Sequence, residues 1–154
     1  MTMLSKQLSA SLEDYLEAIF VLSQSGKVAR CKNISEQLQV ARSSVTGALR
    51  SLAEKQLIHY KPYGDIALTE KGLCAASRIV RRHETLGFFF GDVLGADPQI
   101  AQRAACRAEH AIGPEITVRL TTFLDFIADE SAAGRNLPQA FQEYCSHYRQ
   151  GNED

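Results

Sequence analysis

The stretch from Ile34 to Gly72 constrains this chain more than any other part of it. Ile34-Ser35-Glu36-Gln37-Leu38 is a short amphipathic segment, with Ile34 and Leu38 one helical turn apart on the same face. Four residues of turn, Gln39 to Arg42, lead to a second helix that opens at Ser43-Ser44. Val45, Leu49 and Leu52 recur there at i, i+4, i+7, the spacing of a buried stripe. Arg42, Ser43, Thr46, Gly47 and Arg50 occupy the other side and are small, polar or cationic. Beyond Lys55, Leu57-Ile58-His59-Tyr60 and Asp65-Ile66-Ala67-Leu68-Thr69 have strand character, and Pro62-Tyr63-Gly64 between them supplies a hairpin tip. Helix, turn, helix, hairpin is the order of a winged helix-turn-helix. Its second helix has what the major groove requires: an apolar side to seat it and short polar groups to approach bases and phosphates. Arg42, Ser43, Ser44, Thr46 and Arg50 are the candidate DNA-facing residues, joined by Lys61 and Tyr63 on the wing.

The net charge of −1 hides an asymmetry. Residues 1–82 hold twelve Lys and Arg against seven Asp and Glu, a net of +5; residues 83–154 hold five against eleven, a net of −6. A basic half and an acidic half fit a nucleic-acid reader joined to a regulatory module. The modest +5 implies salt-sensitive affinity and the use of two copies for tight binding. No apolar run approaches the ~20 residues of a membrane span, and the amino terminus lacks the apolar core of a signal peptide. The expectation is a cytoplasmic protein. Cys31, Cys74, Cys106 and Cys145 are scattered, with no Cys-x-x-Cys pair, which fits reduced thiols better than a disulfide framework.

The fold class expected is mainly α: a winged helix-turn-helix domain over residues 1–78, then an all-α domain over residues 79–154. A first helix runs from Ser11, read as N-cap with Asp14 in a capping box, to Gln24. A long helix starts after the N-cap Thr69, ends near Gly91 and carries the domain border. Asp97-Pro98 opens a helix to about Ala111, and Gly113-Pro114 starts another that reaches about Ile127. Residues 131–138 read as loop, and a last helix follows from Gln139 to about Arg149. Three helices without strands are too few for an independent catalytic fold and suit dimerisation or sensing.

Metal-ligand residue types recur at helical spacing in this frame. Asp14 and Glu17 are three apart on the first helix, and Cys106, Glu109 and His110 fall at i, i+3, i+4, with His83 on the connecting helix. A carboxylate, a thiolate and an imidazole converging from three helices would hold a divalent first-row metal. Taken singly these are ordinary residues: solvated helix carboxylates, a small thiol and a surface histidine. Cys145 and His147, at i, i+2, do not share a helix face and read as structural. One basic neighbour at Cys31 is thin support for a redox role.

In combination the motifs resemble a known family. Ser11-Leu12-Glu13-Asp14-Tyr15-Leu16-Glu17-Ala18-Ile19, Ser43-Ser44-Val45-Thr46, Tyr63-Gly64-Asp65-Ile66-Ala67-Leu68-Thr69-Glu70-Lys71-Gly72, Arg82-His83-Glu84-Thr85-Leu86 and Cys106-Arg107-Ala108-Glu109-His110 occur in the order found in the diphtheria-toxin-repressor family. The resemblance covers residues from about 10 to 127. It implies a metal-dependent transcriptional regulator, a repressor of metal-uptake genes, that binds a palindromic operator in double-stranded DNA as a homodimer. It also implies Asp14, Glu17, His83, Cys106, Glu109 and His110 as metal ligands. The first-helix Asp resembles the manganese-sensing branch and the Cys-Arg-x-Glu-His motif the iron-sensing branch. Both Fe(II) and Mn(II) are thus implied, with Cys106 favouring Fe(II) because thiolates prefer the later, softer metals.

An ancillary site of the iron branch uses a Glu four residues after the histidine and a His four before the cysteine; Gly87 and Gln102 stand there, so that version is incomplete. A second metal on Glu17 and His83 is the alternative. With its end at residue 154, the sequence is expected to match the short, manganese-branch form, without an SH3-like domain. Two other readings compete. One is a winged-helix regulator whose helical domain only dimerises or senses a non-metal ligand. The other, a metalloenzyme, lacks a nucleophile motif or phosphate loop, and the expectation is a protein that is not an enzyme.

Overall fold

The computed structural model describes residues 8–62 and 64–150, with no side-chain description at the last two positions. Tyr63 therefore lies outside the described residues. The chain divides into two compact units, one ending at Val80 and the other beginning at Arg81. The architecture is mainly α with a small antiparallel hairpin.

The first unit contains α1 (Ala10–Gln24), α2 (Cys31–Leu38), α3 (Arg42–Glu54), β1 (Ile58–His59), β2 (Ala67–Leu68) and the opening of α4 (Glu70–Phe88). Helix α1 begins earlier than its sequence implies. Ser9, not Ser11, is the N-cap, and its hydroxyl accepts from the Leu12 N–H at 3.3 Å. Asp14 consequently lies beyond the first turn and has no capping role. Leu16, Ile19, Ile34, Val45, Leu49 and Leu52 are wholly buried, so the three helices close one apolar core onto which Ala76 and Ile79 of α4 also pack.

Gln39 adopts the left-handed conformation (φ 54°) after α2 and makes the turn of the helix-turn-helix. The wing pairs Ile58 with Leu68 and His59 with Ala67. A bridge between Ala29 and Ile66 joins the segment before α2 to the wing. Thr69 begins α4: its hydroxyl accepts from the Gly72 N–H at 2.9 Å and donates to the Gln56 carbonyl at 2.8 Å. Gly72 is obligatory here, because a Cβ at this position would lie 1.7 Å from the Leu57 carbonyl oxygen.

The second unit contains the remainder of α4, a π-helical turn (Phe89–Val93), α5 (Pro98–Ala108), α6 (Pro114–Ala132) and α7 (Leu137–Gln150). The π turn carries the chain past the expected end at Gly91. Gly95, at φ +71°, then reverses it, and Gln142 of α7 lies against this glycine while donating to the Asp92 carbonyl at 2.9 Å. Asp97 caps α5 by accepting from Gln99 and Ile100, as a carboxylate at an N-terminus should.

Helix α5 closes at Ala108 rather than near Ala111, and Glu109 is its C-cap with helical backbone angles. The Gly113-Pro114 pair explains this early end, because the chain must become extended before the proline, and Gly113 has ψ 170°. The expected loop 131–138 is shorter in fact. Helix α6 runs on to Ala132, α7 starts at Leu137, and the Asn136 side chain caps it by accepting from the Gln139 N–H. Pro138 belongs to that first turn, where its missing N–H costs nothing. Past the end of α6, Arg135 reaches back with two hydrogen bonds to Glu130 and holds that carboxyl below its ordinary range.

Buried apolar side chains are few in this unit: Leu86, Val93, Ala101, Ala105 and Ile127 among the described residues. Ile116, Phe123 and Phe126 of α6 and Phe141 and Tyr144 of α7 remain exposed. None of the described helices is long and apolar enough to cross a membrane.

Candidate metal centre and nucleic-acid face

In the second unit the centre is Glu109. The C-cap position of α5 carries its side chain into a fully buried setting, while the helical repeat puts Cys106 one turn earlier. His83, on α4, meets them from across the unit: its Nδ1 lies 2.6 Å from Glu109 Oε2. His110 follows on the turn after α5, with Nε2 at 3.3 Å from Glu109 Oε1. One donor atom from each of His83, Cys106 and Glu109 lies within 4.8 Å of the others. Two imidazoles, a thiolate-forming side chain and a carboxylate removed from water make a donor set that a first-row divalent cation fits. A buried carboxylate is kept where hydrogen bonds or positive charge offset its desolvation; His83 and His110 lie against Glu109, and a cation held by the same donors would add to that.

The outer nitrogen of His83 is also engaged. Nε2 lies 2.9 Å from Gln102 Oε1, one turn before Cys106 on α5. Periodicity did not single out Gln102 as a functional residue, because an amide on a polar helix face carries no metal-ligand signal. Asp14 and Glu17 lie on α1 in the first unit, three residues apart and both half-buried.

The first unit holds the basic face. On α3, Arg42, Ser43, Ser44 and Arg50 are exposed and Thr46 is half-buried, its hydroxyl donating to the Arg42 carbonyl at 3.0 Å. A Cβ at Gly47 would meet none of the described residues within 4 Å. Lys61 is exposed at the wing. A cleft of about 410 Å³ opens between α3, the start of α2 and the wing, and Arg30, Lys32, Arg42 and Arg50 line it. Arg30 and Lys32 escaped the sequence reading because they precede or open α2 rather than α3. The Ala29–Ile66 bridge is what brings them beside the wing, and Arg30 pairs there with Asp65 at 2.8 Å. Cys31 is half-buried in the same cleft, with Sγ 3.6 Å from the Arg42 carbonyl oxygen.

Comparison with known proteins matches both units to described domains. Residues 7–66 fit the N-terminal DNA-binding domain of iron-dependent repressors, and residues 69–135 fit the metal-binding and dimerisation domain of the same proteins. A helix-turn-helix-type transcriptional regulator of Methanocaldococcus jannaschii is 34% identical over 124 residues, covering 80% of this chain and 99% of that protein. The transcriptional regulator MntR of Bacillus subtilis is 29% identical, covering 91% and 97%. The diphtheria toxin repressor of Corynebacterium efficiens is 28% identical, covering 86% of this chain and 57% of the repressor. Among solved structures, a manganese-dependent transcriptional repressor with manganese aligns at a TM-score of 0.69 and 30% identity, and the manganese regulator SloR at 0.67 and 27%. Each alignment covers 75% of this chain but only about half of the longer neighbour, 53% and 54% respectively.

Proposed function

Because this chain belongs to the iron-dependent repressor family, whose members are metal-dependent, DNA-binding transcriptional regulators, we propose that it represses metal-uptake genes as a cytoplasmic homodimer that Fe(II), in preference to Mn(II), makes competent for a palindromic operator. The observation that carries this reading is the convergence of His83, Cys106 and Glu109 on one small volume around a buried carboxylate.

In this proposal His83, Cys106, Glu109 and His110 supply ligands from the second unit, and Asp14 and Glu17 supply carboxylates from the first. A bound divalent cation supplies positive charge and directional coordination, and no chemical step is catalysed. Glu109 takes the central role because its burial makes it the donor with most to gain from a cation. Cys106 sets the preference for iron, since a thiolate ligand favours later first-row metals over manganese; the family is described by its dependence on iron, and a solved relative is named for manganese. On the DNA side, Arg42, Ser43, Ser44, Thr46 and Arg50 enter the major groove, and Lys61 and Tyr63 contact the backbone from the wing. Two copies related by a twofold axis match the two halves of a palindrome. The exposed Ile116 and Phe123, seven residues apart on α6, fit a face that a second copy covers.

The test is binding of the metal-stripped protein to a pool of short duplexes, anaerobically, with and without Fe(II) or Mn(II). Metal should tighten binding to a selected palindrome by something on the order of 10- to 100-fold. Glu109→Ala should abolish that gain while the protein stays folded by circular dichroism. Selective binding that ignores both metal and chelator would overturn the reading.

A further inference from the structure

We infer that Gln102 is a positioning residue for the metal centre: its side-chain carbonyl accepts the Nε2–H of His83, so that Nδ1 is the nitrogen turned toward Glu109 and Cys106 and left to ligate a cation held there. The inference rests on the ligand set proposed above and goes beyond it, since Gln102 supplies no ligand itself.

The geometry is explicit. His83 has two ring nitrogens, and each has a different neighbour: Nε2 has Gln102 Oε1 at 2.9 Å, and Nδ1 has Glu109 Oε2 at 2.6 Å. A side-chain carbonyl oxygen can only accept, so the first contact requires a proton on Nε2. Nε2 is then committed as a donor to Gln102, which leaves Nδ1, beside the buried carboxylate, as the nitrogen that can exchange its proton for a cation. Without a cation, a proton on Nδ1 donated to the Glu109 carboxylate satisfies that short contact, and a divalent cation would take the place of that proton. Metal-bound histidines generally donate their other N–H to a carbonyl or carboxylate, which fixes the tautomer and the ring plane.

Gln102 reaches His83 because of what surrounds it. It lies one turn before Cys106 on α5, so the same helix that carries the thiol carries the amide. Opposite it on α4 stands Gly87, one turn beyond His83, and a Cβ there would lie 3.3 Å from Gln102 Nε2. The absence of a side chain at 87 leaves room for the end of the Gln102 amide there. An Ala at that position would require the amide end of Gln102 to give by a few tenths of an ångström, a small disturbance of its contact with the imidazole.

The experiment uses the full-length protein loaded with Zn(II), a diamagnetic probe, and reads the histidine ring nitrogens by long-range ¹H–¹⁵N correlation. A competition assay with a chromophoric chelator measures Zn(II) affinity in parallel. In the wild type, His83 should show a protonated Nε2 and a metal-shifted Nδ1. Gln102→Leu, which keeps bulk and removes the acceptor, should weaken Zn(II) by about 10- to 100-fold and broaden or split the His83 signals. Gln102→Glu keeps an acceptor and should retain Nδ1 ligation, and Gly87→Ala should weaken affinity in the same direction but less. Wild-type His83 signals that shift at Nε2 instead, or a Gln102→Leu protein that matches wild type in affinity and spectrum, would overturn the inference while leaving the metal reading intact. If Zn(II) moves no His83 signal in the wild type, the ligand set itself fails and the inference goes with it.

Discussion

Gly72 and Gln56 show how far single residues are dictated by backbone rather than by side-chain chemistry. At Gly72 the neighbour that excludes a Cβ is the Leu57 carbonyl, which is held in place by accepting the Thr69 N–H at 3.0 Å. Gly72→Ala therefore has no soft side chain to displace and should cost ~3 kcal/mol or more, at the upper end of overpacking costs, with the urea midpoint as readout. Gln56 presents the opposite case. It takes a left-handed conformation (φ 60°) after α3, and the following Leu57 N–H returns to the Leu52 carbonyl at 3.0 Å. A side chain in that region of backbone space costs about 1 kcal/mol relative to glycine. Gln56→Gly should accordingly raise stability by up to ~1 kcal/mol in the same titration; a loss would mean that the glutamine side chain contributes more than its backbone strain removes.

Among the elements, α3 and the wing carry the electrostatics of the reader. Arg50 is exposed in the cationic cleft. If it meets a phosphate, Arg50→Ala should weaken binding uniformly across sequences and reduce the slope of log affinity against log salt by ~1. A change confined to one base position would assign it to base reading instead. How much of this was legible in the sequence follows from the range of the signals. The buried stripe Val45, Leu49, Leu52 and the caps at Thr69 and Asp97 are local, encoded within one or two turns, and a single strand of text displays them. The start of α1 was misplaced because two serines, Ser9 and Ser11, both suit an N-cap, and only the extended backbone at Ser9 separates them. Arg30, Lys32 and Gln102 acquire their roles from neighbours that are distant in sequence: Asp65 is 35 residues from Arg30, and His83 is 19 from Gln102. Periodicity carries no information about such pairs. The candidate ligands His83, Cys106, Glu109 and His110 were legible only because metal chemistry restricts residue type and because the motifs come in the order of a known family.

The two units differ in how completely each buries its own apolar surface. The first encloses large side chains from three helices, the wing and α4; the second buries few and leaves Ile116, Phe123, Phe126 and Phe141 in solvent. A second copy covering α6 would remove that difference. Sedimentation should then find a dimer, with a melting temperature that rises with protein concentration. Ile116→Asp, at a side chain already 54% exposed in the protomer, should shift the population toward monomer while changing protomer stability by no more than about 0.5 kcal/mol. A dimer unaffected by this change would place the interface elsewhere. The contrast between the units also bears on portability. A module with a closed core can be grafted onto another chain, or exchanged between genes, and remain folded as a single copy. A module that leaves its aromatic residues for a neighbour to cover has to travel in pairs. Shuffling of such chains would therefore spread readers freely and sensors only where the host already tolerates twofold symmetry.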